Sequence, residues 1–327
     1  MQRLELVIVQ LEEAKRLIEV DRVPQLRLAH ILLDSAIELI MHRMIEQELH
    51  YSEGYHFGQL EQLERLERLG RGSDHIRSEI DRLKPLVTSK KRRRDLGRIF
   101  GAKVDFLIER GVIPAELGPI LGKLHEYRNE TYHRDKHRIE IIRPAVLIHF
   151  DVACTVLDRY DVGIIVRSDP IGPELRRFED PDGDPLTISH TAARQLRAEL
   201  GLDLPRFRAA LVENLAGRLE DLNDGLDYVQ ENLTYRDALP GDALRLLQLD
   251  PDDIEAIFDH AAMRSRPCPI TMESIQTWIQ ATSEMEKLTD RHSLFIEFAR
   301  IEDEFEALER SVHEATYQID EAANMRD

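Results

Sequence analysis

Two cysteines in 327 residues, Cys154 and Cys268, are too few and too far apart for a disulfide framework or a paired-cysteine metal knuckle, so a reducing, cytoplasmic setting is expected. Aromatic residues are only 6%, and 16 glycines and 14 prolines are sparse for a chain of this length, which argues against a β-sandwich or barrel. No stretch approaches about 18 uninterrupted apolar residues, so no membrane partner is expected. The first twenty residues mix charge into their apolar positions and do not read as a signal peptide. Lysine is almost missing from the second half, where Lys287 stands alone.

What is present is 42% hydrophobic and 32% charged sequence with a formal charge of −18, a globular composition expected to form two domains. A net charge of −18, evenly spread, would argue against nucleic acid, but it is unevenly spread. Residues 1–160 carry 27 basic against 26 acidic groups, a net of +1, and residues 161–327 hold the remaining −19. The negative half is therefore the part expected to avoid RNA and to meet a protein partner.

The first half reads as helix after helix. Leu4, Val7, Leu11, Ala14 and Ile18, then Leu26, Ala29, Leu32, Ala36, Leu39 and Ile40, recur mostly at three- and four-residue steps. Pro24 suits the first turn of a second helix. Leu60, Leu63, Leu66 and Leu69 form a further apolar line, Ser73 is placed to cap a short helix that Pro85 ends, and a last helix is expected from Pro144 to about Tyr160. The spacing predicts an all-α protein: a helical bundle over 1–160, a linker or short hairpin over 161–190, and an acidic, mostly helical domain over 191–327. Val162–Ser168 and Pro185–Ser189 supply the β-branched residues for one short β-hairpin at the junction. In the second half, candidate helices fall at 191–200, 205–233, 240–260, 271–288 and 292–322, and Trp278 is expected to anchor a core or interface.

The stretch with chemistry in it is His125-Glu126-Tyr127-Arg128-Asn129-Glu130-Thr131-Tyr132-His133. On a regular helix His125, Asn129 and His133 follow one line at about 40° per step, and Arg128 stands about 140° from His133. Arg128 and His133 then converge on one ligand if the helix bends or if a second copy faces the first. Arginine offers a fixed cationic fork for a phosphate, and histidine exchanges protons near neutrality. RNA brings its own nucleophile in the 2′-hydroxyl, so such a site needs no metal or other cofactor. His133 and His137 also have the spacing of a metal-binding pair, with Glu130, Asp135 or Glu140 as the nearby third ligands.

The Arg128-Asn129-x-x-x-His133 motif, late in an all-α bundle that also holds the amphipathic segment Arg27–Ile45, resembles the HEPN superfamily. The resemblance covers residues 1–160. It implies a metal-independent endoribonuclease acting as a homodimer, with two motifs meeting across the interface, a 2′,3′-cyclic phosphate product, and a role as a toxin or phage-defence effector. By carry-over Arg128 binds the scissile phosphate, His133 is the acid/base group and Asn129 orients one of them. Position 135, where some members carry a modifiable tyrosine two residues after the histidine, is Asp135 here. Other members are non-enzymatic dimerisation or nucleotide-binding adaptors, the alternative function.

Lys90, Lys91, Arg92, Arg93 and Arg94 form the most basic run and are candidates to track the RNA backbone. Asp34 and Glu38, one turn apart, either support the site as carboxylates or make structural ion pairs. The acidic half is the candidate surface for an antitoxin or regulatory protein. Residues 186–215 have the outline of a helix-turn-helix, but Asp203 and Glu213 offset Arg206 and Arg208, and plain helical packing is the expectation.

Overall fold

The computed structural model describes residues 2–133, 139–161, 171–179, 184–233 and 237–324, and within them not the side chains of residues 2, 130–133, 139, 140, 185, 323 and 324. The described residues are helical throughout, with no strand, and separate into two compact units, Met1–Leu202 and Asp203–Asp327.

The first unit is laid out on two long helices. In α1 (Gln2–Val20) the residues Leu4, Val7, Ile8, Leu11, Ala14, Leu17 and Ile18 are all buried, so the three- and four-residue spacing becomes one contact face. That face packs on α2 (Val23–Leu66), a 44-residue helix that opens with Pro24 in its first turn. At about 1.5 Å per residue α2 is roughly 66 Å long, and the leucine line at 60–66 is its far end. A wide turn over Glu67–Arg71 follows, with Gly70 left-handed at φ 72°. Ser73 then caps α3 (Asp74–Leu83) by accepting from the Ile76 amide at 3.3 Å. Leu60, Ile80 and Leu83, with Leu63, Ile76 and Val87 around them, make a small core there.

The basic run is helical. Ser89 caps α4 (Lys90–Arg98), and α5 (Phe100–Glu109) follows at once. The two are tied to α2 by Glu53, which is buried although charged. Its carboxylate accepts from the Thr88 amide at 2.6 Å, the Thr88 hydroxyl at 2.7 Å, Arg93 Nη2 at 2.8 Å and Arg110 Nη2 at 2.7 Å. Burial alone would raise its pKa, yet the Thr88 hydrogen bonds and the two guanidinium charges hold it below the usual carboxylate value.

Two further helices, α6 (Leu117–His133) and α7 (Ile139–Asp158), complete the core. The latter begins before Pro144, the expected start, because a proline so near the N-terminal end removes only one ladder hydrogen bond. Val146, Phe150, Val152, Ala153, Cys154, Val156 and Leu157 are fully buried, so α7 is enclosed on most sides.

The junction differs from the expected hairpin. Val162–Ser168 lies outside the described residues, but Pro185–Thr187 is a single 3-10 turn capped by Asp184, and it runs straight into α8 (Ile188–Glu199). Ile188, Ala192, Ala193 and Leu196 repeat at helical steps, and that pattern overrides the β-branched pair at 187–188. Counted with the acidic half on sequence, α8 in fact packs on α7. Arg197 Nε donates to Asp151 Oδ1 at 2.7 Å, and Arg197 Nη2 donates to the Thr155 hydroxyl at 2.8 Å.

The second unit is built on α9 (Leu204–Glu231) and α14 (Arg291–Asn324), with the short α10 (Asp242–Leu246), α11 (Ile254–Phe258) and α12 (His260–Ser265) in place of one helix over 240–260, and α13 (Met272–Glu284) alongside. Its centre holds buried Arg218, which pairs with Glu309 at 2.6 Å and lies 4.7 Å from the Phe305 ring. Trp278 is buried, a core anchor whose Nε1 donates to Glu304 at 2.7 Å. At Gly225 an added methyl would overlap Val312, so α9 and α14 approach closely only with glycine there.

Glu53 carries a stability prediction. Glu53→Ala leaves a buried amide and two guanidinium groups without their acceptor and should cost roughly 1–3 kcal/mol in urea unfolding at pH 7. Because its folded pKa is depressed, the contribution is present above the ordinary carboxylate pKa and is lost as pH falls through the folded value, so wild type and variant should converge in acid.

Candidate functional site

The apolar side of α6, Leu117, Ile120, Leu121, Leu124 and Tyr127, is buried, which turns His125, Arg128 and Asn129 toward the edge of the bundle. Opposite them α2 presents His30, Asp34 and Glu38 at four-residue steps along one face.

Asp34 is completely buried and sits at the centre of the contacts. One carboxylate oxygen is 2.9 Å from His125 Nδ1, and the other is 3.2 Å from Arg128 Nε. Arg128 Nη1 also donates to Asn129 Oδ1 at 2.8 Å. The guanidinium of Arg128, about a quarter exposed, thus lies between the Asp34 carboxylate, its ion-pair partner, and the Asn129 amide oxygen, its hydrogen-bond acceptor. His125 is fixed on its other flank by Phe100, the first residue of α5, whose ring stacks parallel to the imidazole with centroids 4.0 Å apart.

Beneath this pair lie two histidines with no place in the sequence reading. His30 and His149 are both buried, and their rings meet edge to face at 4.9 Å. Burial pushes His30 down to about 4, against the pull of Asp34, and drives His149 well below its ordinary value, aided by the neighbouring histidines. Both are neutral at pH 7, so the paired charges at this centre are Asp34 and Arg128. Toward the other end of the face, Glu38 pairs with Lys103 of α5, a lysine that is itself buried.

The structure therefore places Arg128 and Asn129 together and makes Asp34 the ion-pair partner of Arg128. The backbone of His133 ends α6, while its side chain, like those of Glu130 and Glu140, is outside the described set, as are Asp135 and His137. Among the described residues, the group with metal-ligand proximity is Glu302, Asp303 and Glu306 on α14, in the other unit.

The basic run divides. Lys90 pairs with Glu64, Arg92 with Glu109, and Arg93 with Glu53 while lying 4.1 Å from the Phe57 ring. Lys91 and Arg94 are exposed and make no ion pair among the described residues.

His30, His149, Phe100 and Lys103 are the residues sequence reasoning missed. A signal existed for two of them: His30 precedes Asp34 by one helical turn, and Lys103 interrupts an apolar helix. No family model, curated protein or solved structure matches this chain.

The neutral histidines set a pH dependence. The folded chain resists a proton that the unfolded chain accepts near 6.5, so stability should be full above that pH and fall progressively between about 6.5 and 4. Urea unfolding at pH 7, 5.5 and 4.5 should show this loss, and His30→Gln should flatten it. An equal slope in wild type and variant would remove His30 from the account.

Proposed function

We propose that the first unit is a metal-independent endoribonuclease of the HEPN type, acting as a homodimer in which two copies of the Arg128–His133 segment form one site. Arg128 binds the scissile phosphate, Asn129 orients the Arg128 fork, and His133 is the acid/base residue. The 2′-oxygen bonds to phosphorus as the bond to the 5′-oxygen breaks. The 2′-hydroxyl gives up its proton, a proton is delivered to the leaving oxygen, and a 2′,3′-cyclic phosphate and a 5′-hydroxyl result.

The observation that supports this most is the arginine. A guanidinium held by a fully buried carboxylate on one side and an asparagine on the other, with its edge toward solvent, is preorganised for a phosphate oxygen. The same reading makes the protein a cytoplasmic toxin or phage-defence effector, with the acidic second unit as the surface for an antitoxin or other regulator. No described helix is long and apolar enough to cross a membrane.

Purified protein should cleave RNA in EDTA and leave cyclic phosphate ends detectable by mass spectrometry. Arg128→Ala and His133→Ala should each reduce the rate at least about 100-fold, the scale of losing an acid/base group or a transition-state donor. Unchanged cleavage in both variants, or none in wild type freed of bound inhibitor, would overturn the assignment in favour of a non-enzymatic adaptor.

A further inference from the structure

The sorting of the basic run leaves a specific surface. On α4, Leu96 is the buried position that faces the unit. At about 100° per residue, Lys91, Arg94 and Arg98 fall within about 60° of one another on the opposite side of the helix. Arg92 and Arg93 flank Leu96; Arg93 turns inward to the buried Glu53, and Arg92 is engaged at the surface by Glu109. Lys91, Arg94 and Arg98 are all exposed and make no ion pair among the described residues. Asp95, the one carboxylate on this helix, is half-buried at the edge of the stripe and pairs with none of them.

We propose that Lys91, Arg94 and Arg98 form a phosphate track for single-stranded RNA, and that Lys90, Arg92 and Arg93 serve the fold instead. The track rests on the reading of Arg128 as a phosphate-binding residue, because of where it leads. It rises about 10 Å along α4, enough for successive backbone phosphates. Just past Arg98 comes Ile99, 53% exposed, a surface on which a base can rest. Phe100 is next, and its ring lies on His125, the other partner of Asp34. A strand whose backbone follows the stripe is carried toward Arg128. Three unneutralised cations on one face, in a half whose remaining charges nearly cancel, give the charge complementarity for a polyanion.

The test measures binding apart from cutting. In an Arg128→Ala background, anisotropy of a fluorescent 12-nucleotide oligouridine is followed from about 50 to 300 mM salt. Each single-strand phosphate neutralised contributes about 0.7 to the slope of log affinity against log salt, so the triple change of Lys91, Arg94 and Arg98 to Gln should lower that slope by about 2 and weaken binding at least tenfold at 100 mM. Lys90→Gln and Arg92→Gln should leave the slope unchanged, and thermal unfolding checks that each variant is folded. An unchanged slope in the triple variant, an equal fall in the controls, or binding of phosphatidylserine vesicles but not RNA through the stripe would overturn the proposal. If the track binds RNA yet the intact protein never cleaves, the ribonuclease reading fails and the track stands. If the protein cleaves and the slope is unmoved, the reverse holds.

Discussion

A carboxylate with no exposed surface is costly to hold in a protein interior unless charge and hydrogen bonds compensate it, and Asp34 is such a group. It constrains its surroundings. The arginine that neutralises it must stay within reach, which fixes Arg128, and the second oxygen fixes His125. His125 in turn is held flat against Phe100, so the same anion orders α2, α6 and the start of α5. The two histidines below must remain uncharged, because a buried imidazolium beside Arg128 would add an unpaired cation. A site built this way keeps its arginine aimed before any ligand arrives, which is the condition for electrostatic catalysis.

The long helix α2 distributes such constraints along its length. Asp34 anchors α6, Glu38 anchors α5 through Lys103, and Glu53 anchors both α4 and the segment after α5 through Arg93 and Arg110. Each anchor is a carboxylate on one helix meeting a cation on another, at a depth where an unmatched partner is expensive. These anchors decide which cations of the basic run are consumed by the fold. Arg93 serves Glu53 and Arg92 serves Glu109, so the charge left for a partner is smaller than the sequence suggests and lies on one face.

The helices were legible because period and punctuation agreed: Ser73 and Pro85 mark ends that the structure keeps, and the three- and four-residue apolar steps of α1 and α6 become buried faces. The junction was misread where a few β-branched residues stood for a strand; the capping Asp184 and the repeat from Ile188 onward decided otherwise. At the site, the motif exposed Arg128 and Asn129, because an arginine and a neighbouring amide are visible in one dimension. His149 and Phe100 were invisible, since nothing in an apolar helix tells a core histidine or phenylalanine which distant ring it meets. Pairing was also invisible: five consecutive cations look equal until the positions of Glu53, Glu64 and Glu109 are known.

The central claim is that Asp34 holds Arg128 as a phosphate receptor, and the Arg128 Nε–H resonance reports on it directly. Titration of the protein with uridine 2′,3′-cyclic phosphate, followed by NMR of the arginine side chains, should shift that resonance saturably, with the shift lost in Asp34→Asn. An Arg128 resonance that stays in place while the nucleotide binds elsewhere, or no binding at all, would contradict the account.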